Sequence, residues 1–141
     1  MASAMASIEL AAEPDAVWGL IGGFGSLPDW RPYITSSQLG DGGRTRTLRN
    51  PDGDTIVERL IAYGDAARQY THAIVQAPFP VIDHRSTLQV LPYGDGTRAR
   101  VLWSGTFTES GVTHADAAVI FQKTYDDGLK ALWAHYQPRG T

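Results

Sequence analysis

The strongest limit on what this chain can fold into is a change of periodicity at Tyr33. From there to Phe107 apolar and polar residues alternate, and five turn signals interrupt them: "GDGG" (40–43), "NPDGD" (50–54), "YGDAA" (63–67), "QAPFP" (76–80) and "PYGDG" (92–96). Runs of period two joined by short Gly/Pro/Asp turns pair as consecutive antiparallel strands, so this stretch predicts six of them. Behind them the period returns to helical. Ala117, Phe121, Tyr125, Leu129, Leu132 and Tyr136 form one apolar stripe, Thr113 and Asp116 have the spacing of an N-terminal cap, and Pro138 closes the segment. About 22 residues at 1.5 Å each give a helix of roughly 33 Å, long enough to cross a whole sheet.

Ahead of the strands, residues 3–11 read as one more strand. Pro14 then opens a helix carrying Val17, Leu20 and Ile21, and Gly22-Gly23 stops it. "SLPDWRP" allows a second short helix between Pro28 and Pro32. The expectation is α+β: a curved seven-stranded antiparallel sheet closing around a long C-terminal helix, with two short helices after the first strand. At 141 residues the chain is expected to form a single domain over 1–141.

Composition narrows the function. A net charge of -3 argues against a nucleic-acid surface or a polybasic membrane patch. No apolar run approaches the roughly 20 residues of a membrane span. "MASAMAS" has neither the basic nor the apolar region of a signal peptide. The absence of cysteine removes disulfides and thiol nucleophiles and fits a cytoplasmic location.

Strand parity selects the inward side chains. Over 81–91, Ile82, His84, Ser86, Leu88 and Val90 share one face, against Asp83, Arg85, Thr87 and Gln89. The preceding strand turns Tyr70, His72 and Ile74 inward, and the following one Ala99, Val101, Trp103 and Phe107. Five-residue connections at 63–67 and 76–80 would set His72 directly opposite His84 and Glu58 directly opposite His72. A carboxylate beside imidazole supports general acid–base chemistry near neutral pH. The same residues also allow two other readings: a polar lining of a wet cavity, or a two-histidine, one-carboxylate metal site. Arg31 reads either as a surface charge or as an anchor for a carboxylate or enolate oxygen. "GGFG" at 22–25 lacks the setting of a phosphate loop, and "PDGD" is too short for a calcium loop.

The segments "VWGLIGGFGSLPDWRPYITSSQL", "GGRTRTL", "IVERLIAY", "YTHAIVQAPFPVIDHRSTLQV" and "TRARVLWSGTF" closely resemble the START-like (SRPBCC) helix-grip superfamily. The nearest branch is that of the bacterial polyketide cyclase/dehydrase proteins, with plant abscisic-acid receptors as distant relatives. The resemblance implies a ligand pocket between the sheet and the long helix. It places Glu58, His72 and His84 as acid–base residues, with Trp30, Arg31, Tyr70, Ile74, Ser86, Trp103, Phe121 and Tyr125 around the ligand. The mouth would be framed by loops 49–54 and 76–80. Receptors carry a gate and latch in these loops, where "NPDGD" and "APFPV" stand here, which argues against a receptor role. The implied function is cofactor-independent cyclisation, dehydration or isomerisation of an aromatic or polyketide-like molecule, without a bound metal. The alternative is a non-catalytic carrier or sensor. The expected partner is a small hydrophobic or aromatic ligand, with no nucleic acid and no membrane, and a homodimer is left open.

Overall fold

A computed structural model describes residues 2–78 and 81–136. Strand β1 (Ala2–Leu10) leads into helices α1 (Pro14–Ile21) and α2 (Leu27–Trp30). Strands β2 (Ser36–Gly40), β3 (Thr45–Arg49), β4 (Thr55–Gly64), β5 (Gln69–Gln76), β6 (Val81–Tyr93) and β7 (Arg98–Glu109) follow, and helix α3 (His114–His135) ends the described chain. The seven strands form one antiparallel sheet in the order β1-β7-β6-β5-β4-β3-β2. The meander of the six later strands is extended at its far edge by β1, whose whole length pairs with β7 from Ala2–Phe107 to Leu10–Ala99. This is the helix grip expected from the sequence. The helix end expected at Pro138 lies outside the described residues.

Local chemistry explains the helix ends. The Thr113 hydroxyl accepts the Asp116 amide at 3.1 Å, satisfying one of the free amides at the start of α3. Gly22 ends α1 with an ordinary right-handed backbone, so its role is spatial: a Cβ there would stand 2.6 Å from the Trp18 ring. α3 buries Ala117, Phe121, Tyr125, Gly128, Leu129 and Leu132 against the sheet. The Gln122 side chain ties the helix to β1, donating to the Met5 carbonyl at 2.7 Å and accepting its amide at 3.3 Å. Among the described residues no helix is long and apolar enough to cross a membrane.

The register differs from the expected one in a regular way. His72 pairs with Ser86 rather than His84, and Glu58 pairs with Ile74 rather than His72. Each shift is two residues, which moves a side chain along its face without turning it over. Irregularities in pairing account for the rest. Val75 is extra where β5 meets β4, and Ile61 is extra on β4. On β6, Asp83 and His84 together face the span that Phe107 alone fills on β7. Asp83 takes up the irregularity with φ of 53°, and the strand therefore changes parity there. Ile82, expected inside, is 54% exposed, while His84 and Ser86 are buried.

Candidate active site

Between α3 and the concave face of the sheet lies a cavity of about 540 Å³, within the range of small-molecule sites. Its walls are apolar, built from Leu27, Leu48, Ile56, Ile74, Trp103 and Phe121. The buried end carries Arg46, Glu58, His72, His84, Ser86 and Tyr125, and the solvent-facing end Arg31, Tyr33, Asn50, Asp54, Lys123 and Asp127. The loop between β3 and β4 forms one rim. Asn50 organises it by accepting the amides of Asp52 and Asp54 at 3.0 and 3.1 Å. Of the loop at 76–80, Phe79 and Pro80 lie outside the described residues.

Two polar groupings meet at the buried end. In the first, Arg46 donates to Glu58 Oε1 from Nε at 2.8 Å, with Nη2 2.7 Å away. It also donates to the Phe24 carbonyl at 3.0 Å and to the Tyr70 hydroxyl at 3.4 Å. Its guanidinium lies 4.4 Å from the centre of the Phe24 ring. Burial pushes the Glu58 carboxyl upward, but the charges of His72 and Arg46 outweigh it and hold the group well below the usual carboxylate range. The other oxygen, Oε2, stands 3.3 Å from His72 Nδ1, an ion-pair distance whose angle falls short of an aligned hydrogen bond.

The second grouping runs from β6 to α3. His84 Nε2 is 3.0 Å from Ser86 Oγ, and Ser86 Oγ is in turn hydrogen-bonded to the Tyr125 hydroxyl. His84 stacks on Phe121 at 4.9 Å between ring centres and on Phe107 at 6.5 Å. Burial, reinforced by the charge of His72 and opposed by that of Glu58, lowers the His84 pKa to about 4, leaving a neutral ring at neutral pH. Burial also pushes the Tyr125 phenol up, although its bond with Ser86 works the other way. The two imidazoles lie 5.9 Å apart between centres.

Glu58, His72, His84, Ile74, Ser86, Trp103, Phe121, Tyr125 and Arg31 all line the cavity. Trp30 and Tyr70 do not. Trp30 is buried behind the wall against Trp103, and Tyr70 packs edge-on to Phe24 and supports Arg46. Arg31 is half-buried, lies 5.9 Å from the Trp103 ring centre, and has no carboxylate within ion-pair reach among the described residues. Burial lowers its pKa, against the pull of Asp127 and Glu58.

Arg46 is the site residue that the sequence reading passed over. The signal was present in "TRTL": Arg46 shares parity with the buried Leu48, while Thr45 and Thr47 occupy the other face. Among the described residues no group of three or more His, Asp or Glu side chains is arranged to hold a metal ion.

The sequence profile of the polyketide cyclase / dehydrase and lipid transport family matches residues 1–137. The chain belongs to this family. XoxI from Bacillus cereus is 51% identical and superposes with a TM-score of 0.94, covering 96% of each chain. A protein from Bacillus thuringiensis is 48% identical with a TM-score of 0.93, covering 96% of this chain and 98% of its own. The Zhui aromatase/cyclase from Streptomyces sp. R1128, at 15% identity and a TM-score of 0.74 over 95% and 92% of the two chains, shares the fold alone. Among curated proteins, none matches the chain. The family pairs chemistry with transport in its description, so what this member does must be argued from its cavity.

Proposed function

We propose that the cavity binds a small, largely apolar, ring-bearing molecule through its oxygen atoms and acts on it by proton transfer. The reaction class is cyclisation, dehydration or isomerisation, with no cofactor. The observation that carries the reading is that His72 and His84 both line the cavity, and that among the described residues His72 Nε2 and His84 Nδ1 are buried without a hydrogen-bond partner. Buried polar atoms without partners are rare, and at a cavity surface they mark where a ligand completes the hydrogen bonding. The aromatic wall of Trp103 and Phe121 suits a flat ring. Arg31, at the outer end, supplies a cation with no ion-pair partner among the described residues, suited to a carboxylate or enolate oxygen.

Glu58 takes a supporting role in this proposal. A carboxylate doubly engaged by Arg46 is a poor proton acceptor, so the histidines would exchange protons with the ligand. That same engagement favours a second reading, in which the protein is a carrier and the polar end only fixes the ligand's orientation. β-Tetralone, a bicyclic ketone with an acidic C–H beside its carbonyl, separates the two. Under the catalytic reading the protein accelerates exchange of that hydrogen in heavy water, and His72→Phe abolishes the acceleration. Binding of β-tetralone with exchange at the buffer rate would support the carrier.

A further inference from the structure

One hydrogen-bonded chain ends on His84, and a buried ion pair stands against His72. The Tyr125 hydroxyl is buried on α3, and its hydrogen-bond partner is Ser86 Oγ. Gly105 on β7 leaves the space that this hydroxyl occupies. A buried phenol keeps its proton, and Ser86 Oγ is its hydrogen-bond partner among the described residues, which favours Tyr125 as the donor. Ser86 has one proton of its own, and the acceptor left to it is His84 Nε2 at 3.0 Å. A neutral imidazole that accepts at Nε2 carries its hydrogen on Nδ1.

In the ion pair, Arg46 cannot give up its charge. It fixes Glu58 as a carboxylate through Oε1. The free oxygen, Oε2, faces His72 Nδ1 at 3.3 Å, so the favourable place for the His72 hydrogen is Nδ1. In the neutral ring the lone pair then sits on Nε2.

We infer that the two cavity-lining histidines hold fixed tautomers that give the site a polarity, with His72 an acceptor at Nε2 and His84 a neutral donor at Nδ1. The matching ligand group is a carbonyl beside an acidic C–H. This deepens the proposed function and rests on it for its chemistry. Within that reading, the C–H bond breaks, its proton goes to His72 Nε2, and its electron pair moves into the new C=C as the carbonyl oxygen becomes an enolate. His84 keeps its hydrogen and stabilises the enolate oxygen through it, a role suited to a neutral imidazole. Where a C=C adjoins the acidic carbon, the imidazolium of His72 returns the proton to the far carbon of the dienolate, giving an isomer; where a hydroxyl lies beta to the carbonyl, it protonates that hydroxyl as it leaves, giving water and an enone. Arg46, Glu58, Ser86 and Tyr125 are positioning residues that fix which nitrogen does which task.

NMR of the ring nitrogens in the ligand-free protein, above the ordinary histidine titration range, reads the polarity directly. Both rings should show a protonated Nδ1 and a bare Nε2. Tyr125→Phe should leave His72 unchanged and release the preference at His84, giving mixed tautomers. If that variant does not fold, Ser86→Ala carries the same expectation, and the wild-type spectrum alone decides the main point. A protonated Nε2 on either histidine, or an unchanged His84 in both variants, overturns the inference. The expected tautomers without β-tetralone exchange would sink the catalytic reading and leave the donor–acceptor polarity standing. Exchange with the opposite tautomers would do the reverse.

Discussion

A Cβ on Gly105 would stand 2.0 Å from the Tyr125 hydroxyl oxygen and 2.8 Å from Ser86 Oγ. The missing side chain on β7 is therefore what allows α3 to reach β6. Gly105→Ala should force the tyrosine off Ser86 and destabilise the fold by about 1–3 kcal/mol, the usual cost of overpacking. Urea unfolding measures the cost, and the His84 ring-nitrogen spectrum reports the broken chain. An unchanged midpoint together with an unchanged spectrum would show that the tyrosine does not fill that space.

Arg46 and Glu58 are both buried, so removing one partner strands the other. Arg46→Met should cost about 3–5 kcal/mol. Adding Glu58→Leu should recover most of the loss, because the orphaned carboxylate is then gone. Denaturant midpoints for both singles and the double give the coupling. A double variant as unstable as Arg46→Met would mean that the loss comes from packing against Phe24 and Tyr70 rather than from charge.

The depressed His84 pKa makes stability depend on pH in a defined window. Above the reference value of 6.5 both folded and unfolded chains hold the ring neutral. As pH falls from 6.5 toward about 4, the unfolded chain binds a proton that the folded chain does not, and stability is lost. The loss attributable to this ring is up to about 3 kcal/mol. Glu58, with its lowered pKa, adds a further loss below the ordinary carboxylate range. Comparing melting curves of the wild type and His84→Phe across the window isolates the histidine. Parallel curves would contradict the assignment.

Arg31 should distinguish charged from neutral ligands. Naphthoate and naphthamide share shape and differ in charge. Arg31→Gln should weaken naphthoate binding about tenfold or more, the scale of a hydrogen bond to a charged group. It should barely affect naphthamide. Equal losses for the two, measured by NMR titration, would reduce Arg31 to a wall residue.

Much of this was visible in the sequence wherever a period ran long enough. The α3 stripe from Ala117 to Leu132 and the alternation of His84, Ser86, Leu88 and Val90 both place their residues as found. Register was not visible, because the extra residues at Ile61, Val75 and Asp83 carry no mark in the sequence. Asp83 adopts a left-handed backbone without being glycine. Arg46 sits in a five-residue strand, where one charged residue at inward parity looks like a solvated one. Tyr70 points inward as expected, but strand parity cannot separate facing the cavity from packing against Phe24; Trp30 lies on α2, where no parity applies, and packs on Trp103 behind the wall.

The irregularity at Asp83 has a consequence for how such a protein can diversify. The offset between β6 and β7 is absorbed between Ile82 and Arg85, so the paired strand beyond it is aligned independently of the hairpin tip. Residues ahead of the offset can be exchanged while the pairing of Ser86 with Gly105 and of the strand beyond it stays the same.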